Sequence, residues 1–505
     1  MFPSYTPSRW NSRRILALEA LEDRTNPAPP LLQTIPGITF DEDGANNGGG
    51  FSVPPDPNGA AGPTHVVSIV NTSIEFHRIS DSAQQVSESL DTFFAPLSPT
   101  ALLFDPKVVY DQFENRFVVV CLEQSDTPQI SRVLLAVSDD SDPNGTWRFV
   151  AINSRLSIGG GNAWADYPGF AVDEEAVYVT ANMFQFSGSS AGVRLWIIAK
   201  GTTNGWYAGG TPTVSAPLNP YPSGSPVTSM PAQIYGTPPA GATGTFLVGY
   251  DGISNGTNES VKITRIDNPL GTPSFATQLV SVGDIDNTGV AIPGAPQSGT
   301  ATTIDAGDRR VLNAVWRNSH LYFAATVDPG SGPDAGQATA HWFDVNTTNP
   351  GSLTLTDQGN IGGEDIAPGT YTFYPNVAVD AGGNLGIGFA ASGPSIFPGA
   401  YYTGRKASDP AGTVQATGTL QAGVAFYVRE FSPGENRWGD YSGLALAPDG
   451  WTFWAFNEYA MTQGTPIGTG LGRWATEWGR FSFNTPPRVT SPIPDVTVNE
   501  DAAPT

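Results

Sequence analysis

The strongest constraint on this chain is a phrase that comes back. Trp438-Gly-Asp-Tyr-Ser-Gly-Leu-Ala-Leu-Ala447 is followed by Pro448-Asp-Gly450 and an apolar run from Trp451 to Phe456. It has a near twin at Trp164-Ala-Asp-Tyr-Pro-Gly-Phe-Ala-Val-Asp173, which leads into Val177-Tyr-Val-Thr180. A looser copy is Phe373-Tyr-Pro-Asn-Val-Ala-Val-Asp380, then Ala381-Gly-Gly-Asn384 and the run from Leu385 to Ala390. Each copy has an aromatic start, a short strand, a tight turn and a second strand. A unit that returns at long intervals marks a repeat architecture, in which no copy can bury its apolar face alone.

Four more hairpins of this kind can be read. Pro55 to His77 joins two β-rich runs at Asn71-Thr-Ser73, and Asp105 to Cys121 turns between Asp111 and Arg116. Met230 to Tyr235 is answered by Thr245 to Tyr250, and Arg310 to Trp316 turns at Arg317-Asn-Ser319 into His320 to Thr326. A second phrase follows most of them: Ser141-Asp-Pro-Asn-Gly-Thr-Trp147, Ser408-Asp-Pro-Ala-Gly-Thr413, and looser forms at 201–206, 267–272 and 346–351. Val261 to Ile266 alternates apolar and polar residues, as a half-buried outer strand does.

The unit is therefore two hairpins, an apolar inner one and a more polar outer one. This predicts an all-β chain folded as a single β-propeller of four-stranded blades. Seven blades fit the count, and six or eight are compatible with the degenerate fourth copy. Spread over 35–484, seven blades average about 64 residues, above the ~40–50 of compact propeller repeats. The excess lies in Gly/Pro/Ser-rich loops such as 209–228 and 283–307. Radial repetition leaves few exposed sheet edges. A pair of β-sandwiches is the alternative architecture.

Composition narrows the partners. Acids outnumber bases by 47 to 24, a net charge of −23, although only 14% of the 505 residues are charged. Such a field repels phosphate backbones and anionic membranes, so nucleic acid is excluded as a partner. No apolar run approaches the ~20 residues of a membrane-spanning helix, so no membrane insertion is expected. The single cysteine, Cys121, sits in Phe117-Val-Val-Val-Cys-Leu122 and reads as a small buried hydrophobe. His65, His77, His320 and His341 lie apart without ligand spacing, so no zinc site is expected. Gly188-Ser-Ser-Ala-Gly192 has the letters of a nucleophile elbow, but a strand-like run, Val193 to Ile198, follows where that motif needs a helix. Asp41-Glu-Asp-Gly-Ala-Asn-Asn-Gly48 reads as a solvated acidic loop. It lacks the spacing and closing Glu of an EF-hand, so no cofactor is expected, with calcium the one compatible ion.

The ends differ from the middle. Arg9, Arg13 and Arg14 precede Leu18-Glu-Ala-Leu-Glu-Asp-Arg24, which resembles the short leader of large exported bacterial proteins. After Asn484-Thr-Pro-Pro487, the stretch from Val489 to Ala503 resembles the opening strand of cadherin-like or immunoglobulin-like modules on bacterial surface proteins. The expected organisation is a leader and Pro-rich linker over 1–34, the propeller over 35–484, and a linker with a truncated module start over 485–505. The expected setting is secreted or cell-surface.

Asp140-Ser-Asp-Pro-Asn-Gly-Thr-Trp147 resembles the Asp-box of sialidase-like propellers, whose pattern is Ser-x-Asp-x-Gly-x-Thr-Trp. Asp142, Thr146 and Trp147 fall on that pattern, while Asp140 replaces the Ser and Asn144 the Gly. The resemblance implies outer-hairpin turns whose Asp bonds turn amides while the Trp packs between strands; it implies blade geometry and not activity. A sialidase-like enzyme needs an arginine cluster, a Tyr nucleophile with a Glu, and an acid/base Asp. Three inward arginines on separate blades cannot be picked out. The candidate ligand-binding residues at the channel mouth are Asp166, Tyr167, Tyr374, Asp440, Tyr441 and Arg310. They suit a cation or sugar hydroxyls. Because the Asp-Tyr pair repeats, the reading favoured for it is structural, with the Asp capping a turn and the Tyr wedged between blades. The function expected is non-catalytic binding of a glycan or an extracellular protein. A secreted sialidase-like glycoside hydrolase or polysaccharide lyase is the alternative, and a structural spacer the third.

Overall fold

The computed structural model describes residues 27–432, 434–465 and 470–483. The leader-like string and the module-like tail lie outside the described residues. Its regular secondary structure is nearly all strand, arranged as successive four-stranded antiparallel meanders.

The first meander runs Asn58–Ala61, His65–Val70, Ser73–Arg78, Gln84–Ser89. The second runs Leu102–Asp111, Arg116–Asp126, Gln129–Ser138, Trp147–Asn153. The third runs Gly161–Val172, Ala176–Gln185, Ser190–Ala199, Thr213–Val214, with Leu156–Ile158 added beside its first strand. The fourth (Met230–Ile234, Thr243–Gly249, Glu259–Asp267, Ser274–Gly283) and the fifth (Val311–Arg317, His320–Val327, Thr339–Asn346, Thr354–Ile361) share one eight-stranded sheet. Their first strands pair in parallel, Ala232 against Ala314 and Ile234 against Trp316. The sixth runs Tyr371–Val379, Leu385–Gly393, Ile396–Arg405, Gly418–Gln421. The last takes Gly443–Leu446, Phe453–Met461 and Arg473–Phe481 from the C-terminal side and completes itself with Leu31–Thr39, which pairs with Arg473–Phe481.

The first strand of each meander lies against the first strand of the next. Gly443–Leu446 of the last touches both Tyr371–Val379 of the sixth and Asn58–Ala61 of the first, so the contacts close a ring. One narrow axial cavity of about 80 Å³ is lined from every meander: Asn58, Lys107, Phe170, Gln233, Asn313, Asn376 and Leu444 all face it. This is a β-propeller. The apolar cores lie between neighbouring sheets. Ile69, Ile74 and Phe76 of the first meander pack on Phe117, Val119 and Cys121 of the second, and Val118, Val120 and Leu122 pack on Val172, Val177 and Val179 of the third. Each such aliphatic side chain contributes about 1.5–3 kcal/mol when fully buried.

The two closest repeats hold equivalent places. Gly169 and Gly443 each follow a Trp by five residues, and each sits where the next meander's inner backbone abuts. A Cβ on Gly169 would stand 2.6 Å from Pro231 Cδ, and one on Gly443 would stand 2.9 Å from Gly59 N. At the corresponding place the sixth and first meanders carry asparagines that bond the neighbour instead. Asn376 Nδ2 donates to Ser442 O at 2.7 Å, and Asn58 Oδ1 accepts from Val108 N at 2.9 Å.

The recurring Asp-Pro-x-Gly turns and their looser forms all join the third strand of a meander to its fourth. In 140–147, Asp142 Oδ1 accepts from Asn144 N at 3.0 Å, and Trp147 packs on Phe76 and Phe93. Gly188 falls in a turn that leads into the strand Ser190–Ala199, so the elbow-like letters have no helix behind them.

Two expectations need correction. Residues 41–48 are not a loop for most of their length: Phe40–Asn46 is a helix. Thr39 accepts from Glu42 N while Glu42 Oε2 accepts from Thr39 N, a capping box that nucleates the turn. The turn at Asn71-Thr-Ser73 joins the second and third strands of its meander, because the innermost strand is the short Asn58–Ala61. The strand that completes the last meander, Leu31–Thr39, ends where the helix Phe40–Asn46 begins.

Candidate functional site

Four of the seven first strands share a backbone device, placed in the strand or just before it. Asp56, Asp105, Tyr167 and Tyr374 all adopt left-handed φ values of 48–50°, and each precedes a proline. Proline has no N–H to give the ladder, so pairing breaks there. The register shifts at Phe104/Lys107, Asp166/Gly169 and Phe373/Asn376. Such bulges re-aim side chains. Non-glycine residues in this region cost on the order of 1–3 kcal/mol each and cluster at functional sites.

The re-aimed side chains converge on the axis. The Tyr167 and Tyr441 rings meet edge to face at 5.8 Å, although they come from the third and seventh meanders. Tyr167 Oη donates to Asp440 O at 2.8 Å, and Tyr441 Oη donates to Pro106 O at 3.0 Å. The Lys107 ammonium lies 4.2 Å from the Tyr441 centroid and 5.0 Å from that of Tyr167. Together these plug one end of the axial cavity. The two tyrosines therefore span the hub and do not wedge between neighbouring sheets, which corrects the structural role expected for them.

Beyond the plug lies a cup of about 240 Å³, lined by Asp305, Asp308, Arg310, Tyr374, Glu435, Arg437 and Asp440, with Leu312 at its floor. Arg310 forms a two-pronged pair with Asp308, at 2.7 and 2.6 Å, and its guanidinium lies 4.2 Å over the Tyr167 ring. Arg437 pairs with Asp440. Burial, and then the charge of Asp440, pushes the Asp166 carboxyl up to about 6, and burial pulls Lys107 down to about 8. Burial also lifts the phenols of Tyr167, Tyr374 and Tyr441, so all three stay neutral donors.

All six residues picked from the sequence thus gather at one end of the axis. Arg310, Tyr374 and Asp440 line the cup, Tyr167 and Tyr441 form its plug, and Asp166 faces Asp440 and Arg310. Sequence reasoning missed Lys107, Arg437, Asp305, Asp308, Glu435, Asp56 and Asp105. The signal that marks two of them, together with both left-handed tyrosines, is the x-Pro pair at the head of the inner strands: Asp56-Pro57, Asp105-Pro106, Tyr167-Pro168 and Tyr374-Pro375. The histidines stay apart, with His320 on Asp344 and His341 on Asn360. Cys121 is buried and free. Among the described residues no helix is long and apolar enough to cross a membrane.

No family model and no curated protein sequence matches the chain. Among solved structures it is similar to the extracellular domains 1–2 of Drosophila Semaphorin 1b (8% identity, TM-score 0.38, 91% of this chain and 88% of that one). It is also similar to an exo-β-1,3-galactanase from Phanerochaete chrysosporium (10% identity, TM-score 0.31, 90% and 97%). A Trypanosoma rangeli sialidase matches at 8% identity and TM-score 0.33, over 74% of this chain and 53% of that one. At such values no residue role or ligand carries over from them.

Proposed function

We propose that this chain is an extracellular propeller that binds, without covalent chemistry, the terminal residue of a neutral glycan in its axial cup. The observation that carries the reading is that both arginines of the cup are paired within it. Arg310 is held by Asp308 and Arg437 by Asp440, which leaves fixed carboxylate acceptors and guanidinium donors side by side, with Tyr374 beside them. Such an array suits adjacent hydroxyls, which donate and accept at once. An acidic sugar would have to compete with aspartates already on both arginines. The volume, about 240 Å³, lies below the ~300–1,000 Å³ of sites that enclose a drug-sized molecule, so one sugar ring enters and not an extended chain.

A secreted or cell-surface setting belongs to the same proposal and has the leader-like Leu18–Arg24 string as its support. A second reading, a glycoside hydrolase, is favoured by the Asp166 carboxyl near 6, a value that suits a general acid, beside Asp440. Binding to an array of neutral and acidic glycans, followed by chromogenic glycosides of whatever binds, separates the two. Saturable neutral-glycan binding without turnover supports the module, turnover abolished by Asp166→Asn supports the hydrolase, and a blank array overturns both.

A further inference from the structure

Three carboxylates converge below the cup from neighbouring spokes: Asp56 of the first meander, Asp105 of the second and Asp440 of the last. One oxygen from each lies within 4.8 Å of the others. Asp56 and Asp105 are buried, and Asp166 adds a fourth acid against Asp105. Protein donors meet part of this charge. Asp440 N donates to Asp56 Oδ1 at 2.6 Å, Asn71 Nδ2 to Asp56 Oδ2, and Tyr167 N to Asp105 Oδ2 at 3.0 Å. Arg437 meets Asp440. Lys107 acts on them only through space: its ammonium is turned to the tyrosine faces and to Met230 Sδ at 3.9 Å, with no hydrogen bond to any of the three carboxylates.

A separate observation points the same way. Glu458, on the second strand of the last meander, is 1% exposed, and its Oε2 has no hydrogen-bond partner. Its other oxygen turns toward Asp56 across the bare side of Gly439. A Cβ on that glycine would stand 2.9 Å from Glu458 Oε1 and 3.7 Å from Asp56 Oδ1. A buried carboxylate oxygen without a partner, on a side chain set against the Asp56 carboxyl, is costly unless something positive joins it.

We propose that Asp56, Asp105 and Asp440 form a divalent-cation site that ties the first, second and last spokes together at the hub, with Glu458 supplying charge behind it. Oxygens around one calcium at ~2.3–2.6 Å lie up to ~5.2 Å apart, so the observed spacing fits calcium without rearrangement. Magnesium, at ~2.0–2.1 Å, spans less. This inference does not rest on the glycan reading, and either can fail without the other.

The test uses the whole chain, stripped with a chelator at pH 7 and titrated with calcium alone and with terbium. Expected are one saturable site, a rise in melting temperature, and tyrosine-sensitised terbium emission from Tyr167 and Tyr441 beside the site. Calcium should quench that emission competitively. Asp105→Asn should weaken binding at least tenfold. Glu458→Gln, which leaves the three converging carboxylates in place, should weaken it less and keeps the test alive if the first variant does not fold. Should chelator and calcium leave melting unchanged, with no terbium signal and Asp105→Asn more stable than the parent at pH 7, the carboxyls share protons and the proposal is wrong.

Discussion

Replacing Asn313 tests the radial arrangement where it is most local. Asn313, on the first strand of the fifth meander, clamps the backbone of the sixth. Its Nδ2 donates to Val377 O at 2.8 Å, and its Oδ1 accepts from Val377 N at 3.0 Å. Val377 is 0% exposed, so Asn313→Ala strands both backbone groups. Each stranded group costs about 1–3 kcal/mol. Because Asn313 also lines the axial cavity, water can reach the gap and hold the total near the low end, about 2 kcal/mol. At about 1.4 kcal/mol per factor of ten, the Val377 amide should exchange ~30-fold faster, read by hydrogen exchange on a peptide spanning 371–379. Asn313→Asp keeps the acceptor and should preserve more of the protection. Unchanged exchange in Asn313→Ala would refute the reasoning, because no spoke would then lean on its neighbour through this residue.

Other perturbations have opposite signs at comparable sites. Gly59→Ala at the seam between first and last meanders places a Cβ 2.3 Å from Trp478 Cη2, so it should cost about 1–3 kcal/mol in urea unfolding and shift tryptophan emission. Gly44→Ala, inside the helix Phe40–Asn46 with its nearest neighbour at 3.7 Å, should instead stabilise by about 0.5–1 kcal/mol. Burial pushes the Glu75 carboxyl from 4.5 up to about 8, with His77 Nδ1 3.7 Å away and Glu42 nearby. Below pH 4.5 folded and unfolded chains are both protonated there and its contribution is complete; above it the unfolded chain ionises first. Stability then falls by up to about 1.4 kcal/mol per pH unit until the folded carboxyl ionises near 8. Glu75→Gln should flatten that decline, and an equally steep decline in the variant would remove Glu75 as its source.

The spokes were legible because a strand–turn–strand unit leaves a local mark. Trp164 and Trp438 announce strands that are rotated copies, and the Asp-Pro turns fall between third and fourth strands throughout. What escaped was either too short or too distant. Asn58–Ala61 reads as Asn-Gly-Ala-Ala, a turn by composition, and becomes a strand only because His65–Val70 pairs with it and Trp478 packs on it. The helix after Thr39 was hidden by Asp and Gly in its body, while its Thr-x-x-Glu box stood in plain view. The hub is the deeper case. Tyr167 reaches Asp440 across 273 positions of sequence, and no local pattern carries that contact until the ring closes. The Asp56-Pro57 and Asp105-Pro106 pairs were visible as strand beginnings, but a left-handed residue before proline runs against the usual bias of that position.

Whether a ligand sits in the axial cup is measured most directly by titrating array-selected neutral glycans into the parent and cup variants. Asp440→Asn and Arg310→Ala should each weaken binding at least tenfold while circular dichroism stays that of the parent. Asn255→Ala, on an exposed hairpin, should leave it unchanged. Glycan binding that survives both cup substitutions with the fold intact would place the ligand elsewhere and contradict the account.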